Sequence, residues 1–214
     1  MLKMVAFDLD GTVADTLPMC MKAFMRGVSP YAGHELTREE ITSLLGLTEV
    51  GMIKRMAPDN WQAGLEGYYR EYGALHGECP APLEGIPQMI AALKDAGLEV
   101  AMITGKDERS CRITLNQFGM EDTFADVLTG SEFGNNKRER LIELMNRHGL
   151  APEECLYVGD AVADVRAANG AGVVCLSAAW TDFADADALE AVNPGRVFVR
   201  VEDAQRHVLA LCGR

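Results

Sequence analysis

The chain is short of positive charge: 20 Lys and Arg against 32 Asp and Glu leave a formal net charge of −12 over 214 residues. A surface of that sign repels phosphate backbones, so no nucleic-acid partner is expected, and an anionic substrate would need a local cation to offset the field. The six cysteines, Cys20, Cys79, Cys111, Cys155, Cys175 and Cys212, contain no Cys-x-x-Cys pair, which argues against a zinc site. Cys155 and Cys175 lie in apolar runs, as reduced core thiols do, and the compartment is read as reducing and cytoplasmic. The four histidines, His34, His76, His148 and His207, are scattered and are expected at the surface or as caps. No apolar run approaches the ~20 residues that cross a bilayer. Met1-Leu2-Lys3 leads straight into a short strand that Asp8 interrupts, so neither a signal peptide nor a membrane partner is expected. Internal repeats and low-complexity tracts are missing too. What remains is 48% hydrophobic, enough for one sizeable core or for a core with a smaller second domain.

The stretch that organises the rest is Phe7-Asp8-Leu9-Asp10-Gly11-Thr12. It follows Met4-Val5-Ala6-Phe7, a short buried strand by pattern. In extended backbone, Asp8 and Asp10 at spacing i, i+2 project to the same side. Two carboxylates held there repel, and one rises in pKa unless a cation lies between them. Gly11 lets the backbone turn directly after the pair. A calcium loop would share Asp-x-Asp-Gly, but its closing Glu is missing: the twelfth residue counted from Asp8 is Met19. The stretch is therefore read as a metal-dependent site or as a carboxylate pair in acid–base or nucleophilic work, against the plainer reading of a strand end with a polar turn.

Beyond it the pattern is helical from about Leu17 to Cys79. Leu17–Arg26 carries apolar residues at helical spacing, Thr37-Arg38-Glu39-Glu40 is a capping box, Gly46 and Gly51 punctuate, and Trp61–His76 is a longer helix. Pro80-Ala81-Pro82-Leu83-Glu84-Gly85-Ile86-Pro87 is a stiff exit linker. Strands then alternate with helices: a helix over Pro87–Ala96, strand Leu98–Ile103, a helix over Asp107–Phe118 capped by Asp107, strand Ala125–Leu128, a helix over Asn136–His148, strand Cys155–Val158, a helix over Val162–Ala168, strand Val173–Leu176 and a closing helix over Glu202–Leu211. Short apolar strands alternating with helices predict a Rossmann-like three-layer α/β core with a parallel sheet. The predicted division is a core of 1–15 and 83–214 and a helical cap domain of 16–82.

In open α/β sheets, ligands bind at the carboxyl ends of strands. Here those ends carry Asp8 and Asp10, then Thr104-Gly105-Lys106, then Gly159-Asp160 with Asp164 beyond, while Lys137 opens the helix after the Val127 strand. Each has a plain structural alternative. Thr104 could cap a helix, Lys137 lies in the charged run Lys137-Arg138-Glu139-Arg140, and Asp160 and Asp164 sit near a helix start, where Asp is favoured. Their joint placement is what points to a site.

Taken in order, Asp8-Leu9-Asp10-Gly11-Thr12, Thr104, Lys137 and Gly159-Asp160-Ala161-Val162-Ala163-Asp164 resemble the four motifs of the haloacid dehalogenase-like hydrolase superfamily, particularly its phosphoglycolate phosphatase-type phosphatases, with the helical insert similar to that family's alpha-helical cap. The resemblance covers nearly the whole chain. It implies an aspartyl-phosphate mechanism on a small phosphorylated metabolite, with catalytic Asp8, Asp10, Thr104 and Lys137. Asp8 is the implied nucleophile and Asp10 the implied acid and base. Thr104, Gly105 and Lys137 are implied to hold phosphoryl oxygens, and Asp8, Asp10 (through its carbonyl), Asp160 and Asp164 to bind or support Mg2+. The implied partner is a small-molecule phosphate ester, and the chain is expected to be a monomer or weak homodimer. Three departures stand out: Gly105 occupies a place that is often Asn, Lys137 is followed by Arg138 and Glu139 rather than proline, and Thr16-Leu17 opens the cap without the acidic or aromatic cues that would name a substrate. The presence of Asp10 separates the chain from the dehalogenases. A sugar-phosphate mutase of the beta-phosphoglucomutase type is one alternative, against which Thr12 is a weak argument, and a non-catalytic binding module is another.

Overall fold

The computed structural model describes residues 1–213; the last residue of the expected core, Arg214, lies outside the described residues. Met4–Phe7 forms β1, buried along its whole length. Five helices follow without a strand: α1 (Leu17–Gly27), α2 (Ser29–Ala32), α3 (Arg38–Thr42), α4 (Glu49–Met56) and α5 (Trp61–Leu75). The chain then alternates through α6 (Ile86–Asp95), β2 (Glu99–Ile103), α7 (Glu108–Phe118), β3 (Val127–Leu128), α8 (Lys137–His148), β4 (Cys155–Gly159), α9 (Val162–Ala171), β5 (Val174–Ala178), α10 (Ala186–Val192), β6 (Val197–Phe198) and α11 (Val201–Leu211). The strands form one parallel sheet in the order β3-β2-β1-β4-β5-β6. This is the three-layer α/β arrangement that the alternating pattern predicts.

The order places β1 between β2 and β4. Phe7 lies level with Met102 on one side and Val158 on the other, so the segments after all three strands leave the sheet along one edge. Side-chain alternation divides the core between the two faces. Val5, Phe7, Val100 and Met102 pack with Met89 and Leu93 of α6 and with Val208 of α11. Met4, Ala6, Ala101 and Ile103 pack with Leu141 and Leu144 of α8 and Val165 of α9. A third apolar cluster belongs to the helices between β1 and β2 and contains Met19, Met21, Phe24, Tyr68, Tyr69 and Tyr72. The Tyr68 and Tyr72 rings stack with centroids 5.5 Å apart.

Several boundaries differ from the sequence pattern for visible reasons. Helix α4 runs through Gly51, where the sequence pattern predicts a break. A Cβ there would lie 2.5 Å from the Glu132 carbonyl oxygen, so the glycine permits close approach rather than ending a helix. Leu98 falls outside β2 because its amide closes the preceding helix onto the Leu93 carbonyl. Strand β6, two half-buried residues paired with Ser177 and Ala178, and helix α10 are additions to the sequence pattern, since so short an edge strand has no periodicity to detect. His76 is buried rather than superficial and bridges the Thr114 hydroxyl and the Cys79 carbonyl.

Behind the central strands, the fully buried Tyr157 hydroxyl donates to the Ile103 carbonyl at 3.0 Å, joining β4 to the last residue of β2. Removing that hydroxyl leaves a buried acceptor unpaired. Tyr157→Phe is expected to lower unfolding stability by about 1–2 kcal/mol. The expected readout is a lower urea midpoint with an unchanged slope, and an unshifted midpoint would show that this bond does not hold the end of β2.

Candidate active site at the carboxyl edge of the sheet

Asp8 is the first residue beyond β1. Its Oδ1 accepts the Leu9 amide at 2.7 Å, and its Oδ2 accepts the Lys137 ammonium at 2.6 Å. Lys137 opens α8, where the Asn135 side chain caps its amide at 3.0 Å, and it also donates to Asp164 Oδ1 at 2.6 Å. Asp164 lies in the first turn of α9 and accepts the Ala161 amide at 3.1 Å, as a first-turn carboxylate should. Asp160, half-buried, follows β4 directly. One carboxylate oxygen from each of Asp8, Asp160 and Asp164 lies within 4.8 Å of the others. Gly11 makes room for this gathering: its φ is 76°, and a Cβ on it would lie 2.1 Å from Asp160 Oδ2.

The electrostatics follow from packing three acids against one lysine. Burial pushes Asp8 up to about 7, with Lys137 pulling the other way and Asp164 adding to the rise. Burial, then Asp8 and Asp164, raise Asp160 well above the carboxylate range. Lys137 is opposed by its own burial, but Asp164 and Asp8 together hold its ammonium protonated far above the usual value. The all-oxygen donor set and the excess of negative charge fit a divalent cation of the hard, oxygen-seeking kind.

Asp10 lies at the same edge, but its carboxylate takes other partners. Oδ1 accepts the Thr16 hydroxyl and lies 3.4 Å from Lys106 Nζ. After β2, Thr104 is fully buried; its hydroxyl accepts the Lys106 amide at 3.2 Å and has its own proton to donate. A cavity of about 460 Å³ opens above these groups, and Gly105, though not Thr104, is in its wall together with Asp8, Asp10, Lys137, Asp160 and Asp164. Met21, Phe24, Leu44, Met52 and Tyr68 from the helical segment form the opposite wall. Among the basic residues of the helical segment, Lys22 pairs with Glu78 and Lys54 with Glu132, and Arg55 is in the cavity wall while Lys22, Arg26 and Lys54 are not.

Two wall residues had no signal in the sequence strong enough to single them out. Glu49, the first residue of α4, is buried and accepts the Asp107 amide and the Ser110 hydroxyl, each at 2.7 Å, and Lys106 Nζ at 3.2 Å. Lys106 is equally buried, one residue past the expected Thr104-Gly105 pair.

The pattern of haloacid dehalogenase-like hydrolases matches residues 5–178. The chain belongs to that family. Among its haloacid dehalogenase-like relatives, a phosphoglycolate phosphatase of Xylella fastidiosa (strain 9a5c) is 28% identical over 182 residues, which are 82% of this chain and 80% of that protein. Pyrophosphatase PpaX of Halalkalibacterium halodurans is 27% identical over 171 residues, 79% of this chain and 80% of that one. Among solved structures, a variant of CbbY from Rhodobacter sphaeroides in complex with xylulose-(1,5)bisphosphate superposes with a TM-score of 0.80 at 21% identity, over 94% of this chain and 95% of that chain, a likeness of fold. The likeness to phosphoglycolate phosphatase-type members read from the motifs agrees with these relatives. Among the described residues, no helix is long and apolar enough to cross a membrane.

The acidic cluster sets a pH dependence. Asp8 shifts from 3.8 to about 7, so the folded protein holds that proton more tightly than the unfolded chain does. The resulting stabilisation is fully present below the ordinary value and is lost as pH rises through the folded one. Melts in chelator should therefore show a lower midpoint at about pH 8 than at about pH 5, and Asp8→Asn should flatten much of that fall. Magnesium should raise the wild-type midpoint chiefly at the higher pH, where the carboxylates are ionised. An equal magnesium response at both pH values would count against the cluster as its binding place.

Proposed function

We propose that the chain is a magnesium-dependent phosphatase acting on a small phosphate monoester through an aspartyl-phosphate on Asp8. The observation that carries this reading is the gathering of the Asp8, Asp160 and Asp164 carboxylates within 4.8 Å, with Lys137 bridging Asp8 and Asp164 at 2.6 Å. Asp8, Asp160 and the Asp10 carbonyl would hold the cation, with Asp164 fixing the surroundings through Lys137 and the Ala161 amide. When bound, a divalent ion supplies charge neutralisation and orientation to a phosphoryl group.

In the first step an Asp8 carboxylate oxygen attacks phosphorus, the bond to the alcohol oxygen breaks, and Asp10 gives that oxygen its proton. In the second, water attacks the same phosphorus, Asp10 takes the water's proton, and Asp8 leaves as carboxylate with inorganic phosphate as product. The Thr104 hydroxyl and the Gly105 amide would bind phosphoryl oxygens, and Lys137 would offset the charge that builds on them. The helical residues 16–82 would act as a separate cap on a core of 1–15 and 83–214. Its two crossings, near Ala14–Leu17 and Cys79–Gly85, are a fitting hinge because they run side by side: the Leu83 amide donates to the Val13 carbonyl at 2.9 Å.

Asp8→Asn keeps the side chain's volume and removes the nucleophile. It is expected to lower magnesium-dependent hydrolysis of an aryl phosphate by about a thousandfold or more. Survival of near-wild-type turnover in that variant would sink the nucleophile assignment. A panel of phosphorylated metabolites assayed with magnesium then identifies the alcohol.

A further inference from the structure

Lys106 is the buried cation that the proposed reaction does not use. Its ammonium lies 3.4 Å from Asp10 Oδ1 and 3.2 Å from Glu49 Oε1, and it sits 4.5 Å from the centroid of the Tyr72 ring. Glu49 is fixed in turn by the Asp107 amide and the Ser110 hydroxyl. The result is a chain, Asp10–Lys106–Glu49, with Lys106 and Glu49 buried and Asp10 half-buried at the cavity, whose outer end is bonded to the start of α7 and whose inner end is the proposed proton carrier. Buried ion pairs contribute little net stability, because desolvation consumes most of the attraction. Their better-attested service is to fix one arrangement among several. Asp10 is the group here with most to gain from being fixed, since proton transfer demands hydrogen-bond reach of the leaving oxygen. Thr16 and Lys106 both hold Oδ1, so that Oδ2 is the oxygen available to carry the proton.

We propose that Lys106, anchored by Glu49, is a positioning residue for Asp10, holding its carboxyl group in the orientation that protonates the leaving alcohol. The proposal rests on the phosphatase reading above. It also gives Glu49 a role beyond packing: as the first residue of α4 it carries the anchor from the helical segment to the core, so Asp10 is held only where α4 docks on the loop after β2.

The test separates positioning from simple architecture by the acidity of the leaving group. Phenyl, p-methylphenyl and p-nitrophenyl phosphate have similar shapes, but nitrophenol departs with little need of a proton and the other two need one. kcat/KM reports the steps up to phosphoryl transfer to Asp8, where Asp10 acts as acid, and excludes the later hydrolysis. Lys106→Met combined with Glu49→Gln removes both charges at nearly constant volume, which keeps an unpaired charge from unfolding the cap. That double variant is expected to lose about tenfold or more in kcat/KM on phenyl and p-methylphenyl phosphate and less than about threefold on p-nitrophenyl phosphate. Glu49→Gln alone, which leaves the lysine in place, should show the same selectivity to a smaller degree. Equal losses on all three esters would reduce the chain to an architectural contact and overturn the positioning role, as would no loss on any. A wild-type protein inactive on every ester would instead defeat the phosphatase reading itself, a result distinct from either.

Discussion

Everything at this site depends on holding like charges together in a place where they would rather not be. Asp8, Asp160 and Asp164 are brought within a few ångströms by the strand order, because β1 and β4 are neighbours and end level with each other. Left to themselves, buried carboxylates at that separation would take up protons. Among the described residues, Lys137 is the one cation that pairs with two of them, its ammonium reaching across from the start of α8 to the end of β1. The sheet, the glycine turn at Gly11 and the first turn of α9 all serve to keep that geometry, and the raised carboxyl of Asp8 is its electrostatic cost.

Much of this is legible in the sequence because the groups follow strands. An apolar run that ends in Asp-x-Asp-Gly announces both the strand and the site, and Gly159-Asp160 repeats the pattern on β4. The neighbour relation of the two strands is not written in either one. It comes from topology, supplied by the alternation of strands and helices and the ordering it favours. Lys137 is legible for its charge but not for its burial, since Lys137-Arg138-Glu139-Arg140 reads as a solvated face. In the folded chain the first of those four turns inward while Arg138 turns to the Gly170 carbonyl.

Glu49 and Lys106 escape sequence reading because their meaning lies in contacts between segments far apart in the chain. Glu49 begins an amphipathic helix, where an acidic residue is already favoured by the helix dipole, so nothing marks it as more than a helix start. Beyond the Tyr68 hydroxyl, 19 residues on, its partners are 57, 58 and 61 residues away. Lys106 is adjacent to a legible pair and still illegible, because a lysine at a strand-to-helix turn is ordinarily exposed. Strand β6 fails for a different reason: two residues are too few for any period, and their pairing is decided by the chain that precedes them.

The two lysines divide the work of the cavity. Five carboxylates line it (Asp8, Asp10, Glu49, Asp160 and Asp164), and against them stand Lys106 and Lys137, with Arg55 also in the wall. Lys137 is committed to Asp8 and Asp164, and Lys106 to Asp10 and Glu49, so each ammonium is shared by two acids and Asp160 is left over. A protein of net charge −12 cannot draw a phosphate ester into such a place by its overall field. The attraction has to be local, and it has to come at the uncompensated acid, which is where the donor set fits a hard divalent ion. The helical segment adds one acid, Glu49, whose charge is met by Lys106, the Asp107 amide and the Ser110 hydroxyl, and otherwise lines the far wall with apolar side chains: Met21, Phe24, Leu44 and Met52 can exclude water without adding to a negative charge that is already in excess.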